Sequence, residues 1–165
     1  MISITELYNL FIQYPCICTD TRNIEKNCLF FCLKGENFNG NTFALQAIHQ
    51  GSAYVIVDEK EYVIHEKCIL VSDSLKTLQD LALHHRKQLT IPIIGITGTN
   101  GKTTTKELIN AVLSSSYNVI ATKGNLNNHI GVPLTVLSIN KDVRIAIIEM
   151  GANHAHEIEF LCKIA

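Results

Sequence analysis

Residues 91–106 (IPIIGITGTNGKTTTK) combine three glycines at a spacing of three with a lysine and a run of hydroxyl side chains. Gly95, Gly98 and Gly101 permit backbone angles and close approaches that a side chain would block. An apolar run precedes these glycines, and apolar residues at helical spacing follow them, so the pattern predicts a strand, a glycine loop and a helix. Such a unit is typical of phosphate binding, because the first turn of a helix presents unpaired N–H groups at the positive end of its dipole.

The glycine loop predicts a site for ATP and magnesium. Lys102 supplies a positive charge for the outer phosphates, and the hydroxyl of Thr103 is a candidate ligand for Mg²⁺. The usual phosphate-loop pattern requires a glycine where Ile96 stands, so the loop is a variant, G-x-x-G-x-x-G-K-T. A glycine-rich turn that only joins strand to helix is the alternative. The candidate nucleotide-binding residues are Gly98, Thr99, Asn100, Gly101, Lys102, Thr103 and Thr104.

A second group of candidate residues follows the later strands. Glu149 ends the apolar run RIAIIE, where a carboxylate near a phosphate loop is placed to hold magnesium, although a glutamate at a strand end also commonly faces solvent. The small residues after it allow a close backbone approach and favour the magnesium interpretation. Asn125 and Asn128, in GNLNNHIGVP, are suited to orient a phosphate or a substrate carboxylate, but asparagines also occupy turns for backbone reasons.

The N-terminal region adds two cations. Arg22 and Lys34 are candidates for an anionic substrate group, with solvated surface charge as the alternative.

Composition restricts the function classes. The chain has 165 residues, 47% of them hydrophobic, and a net charge of −1, which favours a globular protein and gives no electrostatic case for nucleic acid. No apolar stretch approaches a membrane span and no leader pattern begins the chain, so we expect a cytoplasmic location and no membrane insertion. The six cysteines show no C-x-x-C pair and are expected to be buried free thiols rather than disulfides or zinc ligands.

The patterns predict an α/β fold in two domains, residues 1–90 and 91–165. In the first domain we expect helices over 3–13, 42–50 and 74–88 and strands near 28–33, 53–57 and 68–71. In the second, the alternation of strand and helix predicts a parallel sheet, with the strand Ile91–Ile94 in its middle and covered on both faces. A nucleotide-binding sheet rarely closes with three strands, so we expect the 165 residues to be the beginning of a longer or truncated protein.

Five stretches together resemble the Mur ligases, ATP-dependent enzymes that add amino acids to the UDP-linked peptidoglycan precursor. They are TDTR, LKGENFNG, GITGTNGKTTTKE, GNLNNHIGVPLTVL and AIIEMGANHAHEI. The last two are most similar to the member that joins D-alanyl-D-alanine to UDP-N-acetylmuramoyl-tripeptide through an acyl phosphate. The family usually has aspartate-serine-arginine where this chain has Asp20-Thr21-Arg22, a change that keeps the hydroxyl.

The resemblance implies a small UDP-binding domain followed by the start of the family's central ATPase domain. It implies ATP and Mg²⁺ as cofactors. We expect the protein to be a monomer. Magnesium would lie at Thr103 and Glu149, and catalysis would use Lys102, Glu149 and His154. The residues implied for substrate are Thr21, Arg22, Lys34, Gly35, Glu36, Asn39, Gly40, Asn125 and Asn128.

Other interpretations stay open. The family's adenine and dipeptide sites lie beyond residue 165, so we expect no ligase activity from these residues alone. Another ligase of the superfamily, such as folylpolyglutamate synthetase, would share the phosphate loop, and a nucleotide-sugar binding module would keep the loop without turnover. Asn140-Lys141-Asp142 resembles part of the N-K-x-D motif with which GTPases recognise guanine, but that motif needs an aspartate where Val143 stands.

Overall fold

The structure, a computed structural model, describes residues 2–165. The chain divides into two compact units, Met1–Leu81 and Ala82–Ala165, and each contains its own parallel sheet. The division falls within a helix that covers Ser74–Gln88. The domain boundary between residues 90 and 91 stays a prediction.

The first unit contains short strands and helices in alternation, as its sequence predicts. A capping box begins the first helix: Ser3 Oγ accepts from Glu6 N–H at 3.2 Å, and Glu6 Oε2 accepts from Ser3 N–H at 2.8 Å. The elements are α1 (Ile4–Gln13), β1 (Ile17–Cys18), β2 (Leu29–Phe31), β3 (Lys34–Gly35), β4 (Phe38–Asn39), α2 (Ala44–His49), β5 (Tyr54–Val57), β6 (Cys68–Leu70) and α3 (Ser74–Gln88).

The main sheet of the first unit has the strand order β1-β2-β5-β6, and all its pairs are parallel. The central strands β2 and β5 are almost wholly buried, which explains their continuous apolar sequences. Phe30, Val55 and Val57 form one buried cluster with Ala44 and Ala47 of α2. The strands β3 and β4 form a separate antiparallel hairpin that follows β2.

The second unit begins within α3. Its later elements are β7 (Ile93–Ile96), α4 (Lys102–Leu113), β8 (Val119–Ala121), α5 (Gly131–Leu137), β9 (Ile145–Glu149) and α6 (Glu157–Ile164). The expected strand, glycine loop and helix are present, and α4 packs against all three strands.

The sheet of the second unit is parallel, as expected, with the order β7-β9-β8. The predicted place of the first strand is wrong: within residues 2–165, β7 is an edge strand, begins at Ile93 rather than Ile91, and is only partly buried. The central strand is β9, whose last four residues are all buried. An apolar run marks a strand that lies in a sheet but does not fix its order, which depends on pairing with distant segments.

The cysteines follow the expectation in part. All six are free within the part of the chain that the structure describes, and Cys18, Cys28 and Cys32 are buried. Cys162 is exposed on α6, so burial was wrongly predicted for this thiol. Cys16 and Cys68 are half-buried.

Among residues 2–165, no helix combines the length and the apolar character that a membrane span requires.

Two glycines of the hairpin region provide a matched stability test. A Cβ on Gly40 would lie 2.3 Å from the carbonyl oxygen of Leu33, whereas a Cβ on Gly35 would meet only Phe38 Cβ, at 3.9 Å. We expect Gly40→Ala to lower the free energy of unfolding by about 1–3 kcal/mol, because the backbone must shift. Gly35→Ala is expected to leave it nearly unchanged, and urea denaturation of both variants measures the difference. Equal stability of the two variants would contradict the close packing at Gly40.

Candidate functional site

A buried carboxylate organises the candidate site in the second unit. Glu149, the last residue of β9, is only 2% exposed. Its Oε2 accepts a hydrogen bond from Thr103 Oγ1 at 3.0 Å, and its Oε1 accepts one from Asn127 Nδ2 at 2.8 Å. Its backbone N–H donates to Thr122 Oγ1 at 2.9 Å. The carboxylate is thus held by residues that follow the glycine loop and strand β8.

The glycine loop has the backbone geometry that its sequence predicts. Gly98 and Gly101 have φ angles of 148° and 78°, which favour glycine, and Gly101 directly precedes the first residue of α4. The loop residues from Gly98 to Gly101 are exposed. Lys102 Nζ donates to the carbonyl oxygen of Gly98 at 2.7 Å, so the lysine lies back over the loop. The first turn of α4 therefore presents backbone N–H groups to solvent beside a lysine, as an anion site requires.

Gly151 allows the chain after β9 to approach residues 124–133 (GNLNNHIGVP), called the asparagine segment below. Its N–H donates to the carbonyl oxygen of Asn127 at 2.8 Å, and a Cβ at this position would lie 3.2 Å from the Asn127 side chain. The close approach that the small residues after Glu149 predicted is therefore present.

The predicted asparagines have different environments. Asn128 Oδ1 accepts from the N–H groups of Ile130 and Gly131 at 3.1 and 2.9 Å, so this oxygen stabilises the start of α5. The alternative interpretation, in which an asparagine serves the backbone of a turn, therefore accounts for the contacts of Asn128 Oδ1. The side chain of Asn125 is exposed, and its carbonyl oxygen accepts from Asn127 N–H at 2.8 Å.

Glu149 and its hydrogen-bond partners Thr103, Asn127 and Thr122 are called the carboxylate network below. A cleft of about 550 Å³ lies beside this network. Its lining brings together Lys102, Asn125, Asn128 and His154, four of the residues predicted from the sequence. The remaining lining residues are Asn127, His129, Gly151, Ala152, Asn153, Glu157, Phe160 and Leu161.

Glu157 shapes the segment that carries His154. Its Oε2 accepts from the backbone N–H groups of Asn153 and His154, at 2.6 and 3.1 Å. These backbone hydrogen bonds lower the pKa of the Glu157 carboxyl below its ordinary value, so it stays ionised to lower pH than a free glutamate. The imidazole of His154 is exposed in the same cleft, where it has access to a bound ligand.

The substrate residues predicted in the first unit form separate contacts. Thr21 and Arg22 lie in a 3₁₀ turn, where the Arg22 guanidinium pairs with Asp20 at 2.6 Å and lowers the pKa of that carboxyl to about 2. Lys34 Nζ lies 3.1 Å from Asp58 and 3.5 Å from Glu59. Both predicted cations therefore already have carboxylate partners.

The other substrate residues predicted in the first unit lie in the hairpin β3–β4 or directly after it. Gly35 and Glu36 are exposed, and Gly40 is buried against Leu33. Asn39 Oδ1 accepts from the N–H of Asn41, and Asn39 Nδ2 donates to Glu59 at 3.0 Å. Gly40 and Asn39 thus have structural contacts that account for their residue types.

Sequence reasoning missed two residues that hydrogen-bond to Glu149, namely Asn127 and Thr122. Asn127 lies in the asparagine segment that the sequence marked, but nothing in that segment distinguishes it from Asn125 and Asn128. Thr122 follows a predicted strand directly, and this position at the carboxyl end of a strand was the available signal.

The donor set fits a magnesium ion. A hydroxyl and a carboxylate are hard oxygen ligands, and the 3.0 Å hydrogen bond between Thr103 and Glu149 brings the two oxygens to one place. Among residues 2–165 no group of three or more histidine, cysteine or acidic side chains is placed to hold a metal.

Two family models match the chain. Residues 13–96 match the Mur ligase family, catalytic domain, and residues 96–165 match the Mur ligase middle domain. The UDP-N-acetylmuramoyl-tripeptide–D-alanyl-D-alanine ligase of Bacillus subtilis is 46% identical over 151 residues, which cover 90% of this chain and 33% of that protein. The Synechocystis ligase of the same name is 44% identical over 167 residues, covering 100% and 37%.

Solved structures give the same result. The chain aligns to a crystal structure of MurF from Acinetobacter baumannii with a TM-score of 0.82 and 37% identity, over 90% of this chain and 33% of that one. For the MurF ligase of Thermotoga maritima in complex with ADP, the TM-score is 0.81 and the identity 31%, over 100% and 36%. The chain therefore spans about a third of the length of the curated relatives that it matches.

The contact between Asn127 and Glu149 yields a stability prediction. Asn127→Leu removes a donor from a buried carboxylate, so we expect the free energy of unfolding to fall by about 1–3 kcal/mol. Asn125→Leu makes the same chemical change at an exposed position of the same segment and serves as the control. Urea denaturation followed by circular dichroism measures both variants. If Asn127→Leu were no less stable than Asn125→Leu, the proposed support of Glu149 would be refuted.

Proposed function

The chain belongs to the Mur ligase family, and from this membership we propose that it carries the phosphate loop and the nucleotide-sugar domain of an ATP-dependent carbon–nitrogen ligase. The proposed reaction joins D-alanyl-D-alanine to UDP-N-acetylmuramoyl-tripeptide in peptidoglycan synthesis. The observation that carries the proposal is the Thr103–Glu149 pair behind an exposed glycine loop. The relatives named for this ligase support the choice of substrates, at 46% and 44% identity.

The nucleotide would bind at the loop between β7 and α4. Backbone N–H groups of the first turn of α4 would contact its phosphates, and Lys102 would exchange its contact with the Gly98 carbonyl for the outer phosphates. The loop residues Thr99, Asn100 and Thr104 would line the same site. The Thermotoga maritima relative was solved in complex with ADP, which supports an adenine nucleotide as the ligand.

Magnesium would be held by Thr103 and Glu149. When bound, it would neutralise charge on the phosphate oxygens during phosphoryl transfer. Asn127 would keep the carboxylate oriented through its 2.8 Å hydrogen bond, since this bond occupies one oxygen and leaves the other beside Thr103.

The cleft beside the loop would receive the substrate carboxylate. Asn125, Asn128 and His154 line it together with Lys102, and would orient the tripeptide end against the γ-phosphate. The carboxylate oxygen attacks phosphorus and ADP leaves, which gives an acyl phosphate. The amine of D-alanyl-D-alanine then attacks the acyl carbon, loses a proton and displaces phosphate, which forms the amide.

The first unit would bind the UDP end of the substrate. Thr21, Arg22, Lys34 and the turn from Gly35 to Gly40 are the proposed contacts. Lys34 is 45% exposed in its side chain, so it can reach a diphosphate while its ion pair with Asp58 persists.

The relatives described above are not named for folylpolyglutamate synthesis, which disfavours that alternative.

Nucleotide binding tests the second-unit site. We expect Lys102→Met and Thr103→Val to weaken MgADP binding in calorimetric titration about tenfold or more, the equivalent of at least 1.4 kcal/mol. Thr103→Ser keeps the hydroxyl and is expected to retain most of the affinity. Lys141→Met, at an exposed lysine of the same unit, is the matched control. Unchanged affinity in Lys102→Met would refute the assignment of the loop.

Nucleotide-sugar binding tests the first-unit site. We expect UDP-muramoyl-tripeptide, UDP-muramoyl-dipeptide and UDP to bind this chain with similar affinity, because the proposed first-unit contacts lie at the UDP end. Lys34→Met is expected to weaken all three, and Lys76→Met, at an exposed lysine of the same unit, to weaken none. The 165 residues alone are expected to form no amide from these substrates, ATP and D-alanyl-D-alanine.

A chain that binds none of the three ligands but shows a cooperative circular dichroism melt would refute the first-unit assignment. Binding of the nucleotide sugars without any nucleotide binding would instead favour the module without turnover.

A further inference from the structure

A buried lysine lies behind the carboxylate network. Lys106, one helical turn after Lys102 on α4, is 1% exposed. Its Nζ donates to the carbonyl oxygen of Thr122 at 2.7 Å and lies 2.9 Å from Glu107 Oε1. The Glu107 side chain is mostly exposed, whereas Thr122 is buried, so the contact with Thr122 is the one made in the interior.

A buried ammonium group requires a reason, because removing a charge from water is costly unless the charge is paired and hydrogen-bonded. Hydrophobic packing alone would be served better by leucine or methionine at this position. The proposed nucleotide site does not use Lys106 directly, since the phosphate-binding lysine of the loop is Lys102. The role of Lys106 therefore follows from what it holds.

Lys106 completes the hydrogen bonding of Thr122. The N–H of Thr122 donates to the carbonyl oxygen of Ile147 at 2.9 Å, and its Oγ1 accepts from Glu149 N–H at the same distance. Its carbonyl oxygen, just beyond the end of β8, accepts from Lys106. All polar atoms of Thr122 are thereby satisfied, and its backbone is fixed where the chain leaves the sheet for the asparagine segment.

We propose that Lys106 is a positioning residue for the magnesium–nucleotide site: by anchoring Thr122 it fixes the backbone of Glu149 and the start of the segment that carries Asn127. This inference rests on the proposed function for its consequence, but the structural link from Lys106 through Thr122 to Glu149 stands on distances alone. Lys106 is not one of the residues that line the cleft, and its buried side-chain contact is with Thr122, so it acts through Thr122.

The structural link is tested first, on the whole chain without any ligand. Amide hydrogen exchange measured by NMR compares Glu149, whose N–H bonds Thr122, with Ala146 on the same strand, whose N–H bonds Pro92. In Lys106→Met we expect exchange at Glu149 to accelerate about tenfold relative to Ala146. Equal acceleration at both amides would indicate general destabilisation and would overturn the proposal.

Three further variants test the hydrogen-bonded link from Lys106 through Thr122 to Glu149. Thr122→Val keeps the carbonyl contact to Lys106 but removes the hydroxyl, and is expected to accelerate exchange at Glu149 as Lys106→Met does. The double variant is expected to exchange no faster than the faster single variant, because both changes break one path. Glu107→Gln removes the exposed partner of Lys106 and is expected to change nothing. Additive acceleration in the double variant would overturn the proposal, and Thr122→Val decides the link to Glu149 if Lys106→Met does not fold.

The functional consequence is measured by ADP affinity with and without Mg²⁺. We expect Lys106→Met to reduce the gain that Mg²⁺ gives by about tenfold, while affinity for ADP alone stays nearly constant. Lys106→Arg keeps the charge and donors and is expected to retain most of the gain. An unchanged gain in folded Lys106→Met would overturn the positioning role. If the unmodified chain bound no nucleotide, the proposed function would fail, and the exchange experiment would still decide the structural link.

Discussion

The buried carboxylate of Glu149 is the constraint on which the second unit depends. A charge that is 2% exposed must be compensated by hydrogen-bond donors, because its loss of hydration is otherwise too costly. The donors come from two different parts of the chain, the start of α4 through Thr103 and the segment after β8 through Asn127. Satisfying one carboxylate therefore joins the phosphate loop, the asparagine segment and the central strand into one site.

The parallel sheet makes this convergence possible. Because β7, β8 and β9 run in the same direction, their carboxyl ends meet at one edge. The glycine loop follows β7, Thr122 follows β8, and Glu149 is the last residue of β9. Glycines then permit the close approaches: a Cβ on Gly131 would lie 2.3 Å from the backbone of Leu126, and one on Gly95 would lie 2.6 Å from Met150 Cε. Close packing thus explains Gly131, whereas positive φ angles explain Gly98 and Gly101.

The lysines proposed to bind phosphate have different contacts in the two units. In the second, Lys102 contacts only a loop carbonyl among the hydrogen bonds described for it, and its charge remains available to an anion. In the first, Lys34 lies beside Asp58 and Glu59, and its contact with Asp58 raises the pKa of the lysine. A diphosphate bound there would share this lysine with the two carboxylates.

Local sequence patterns were sufficient to predict the glycine loop, the helix that begins at Lys102, the parallel strands and the carboxylate that ends β9. These follow from periodicity, apolar runs and glycine positions, which act between near neighbours. The folded arrangement was needed to show that β9 is central and β7 lies at the edge, that Asn127 donates to Glu149, and that Lys106 donates to Thr122. The physical reason is that strand order and side-chain hydrogen bonds join residues far apart in sequence, 46 positions for Thr103 and Glu149, and no local pattern encodes such pairs.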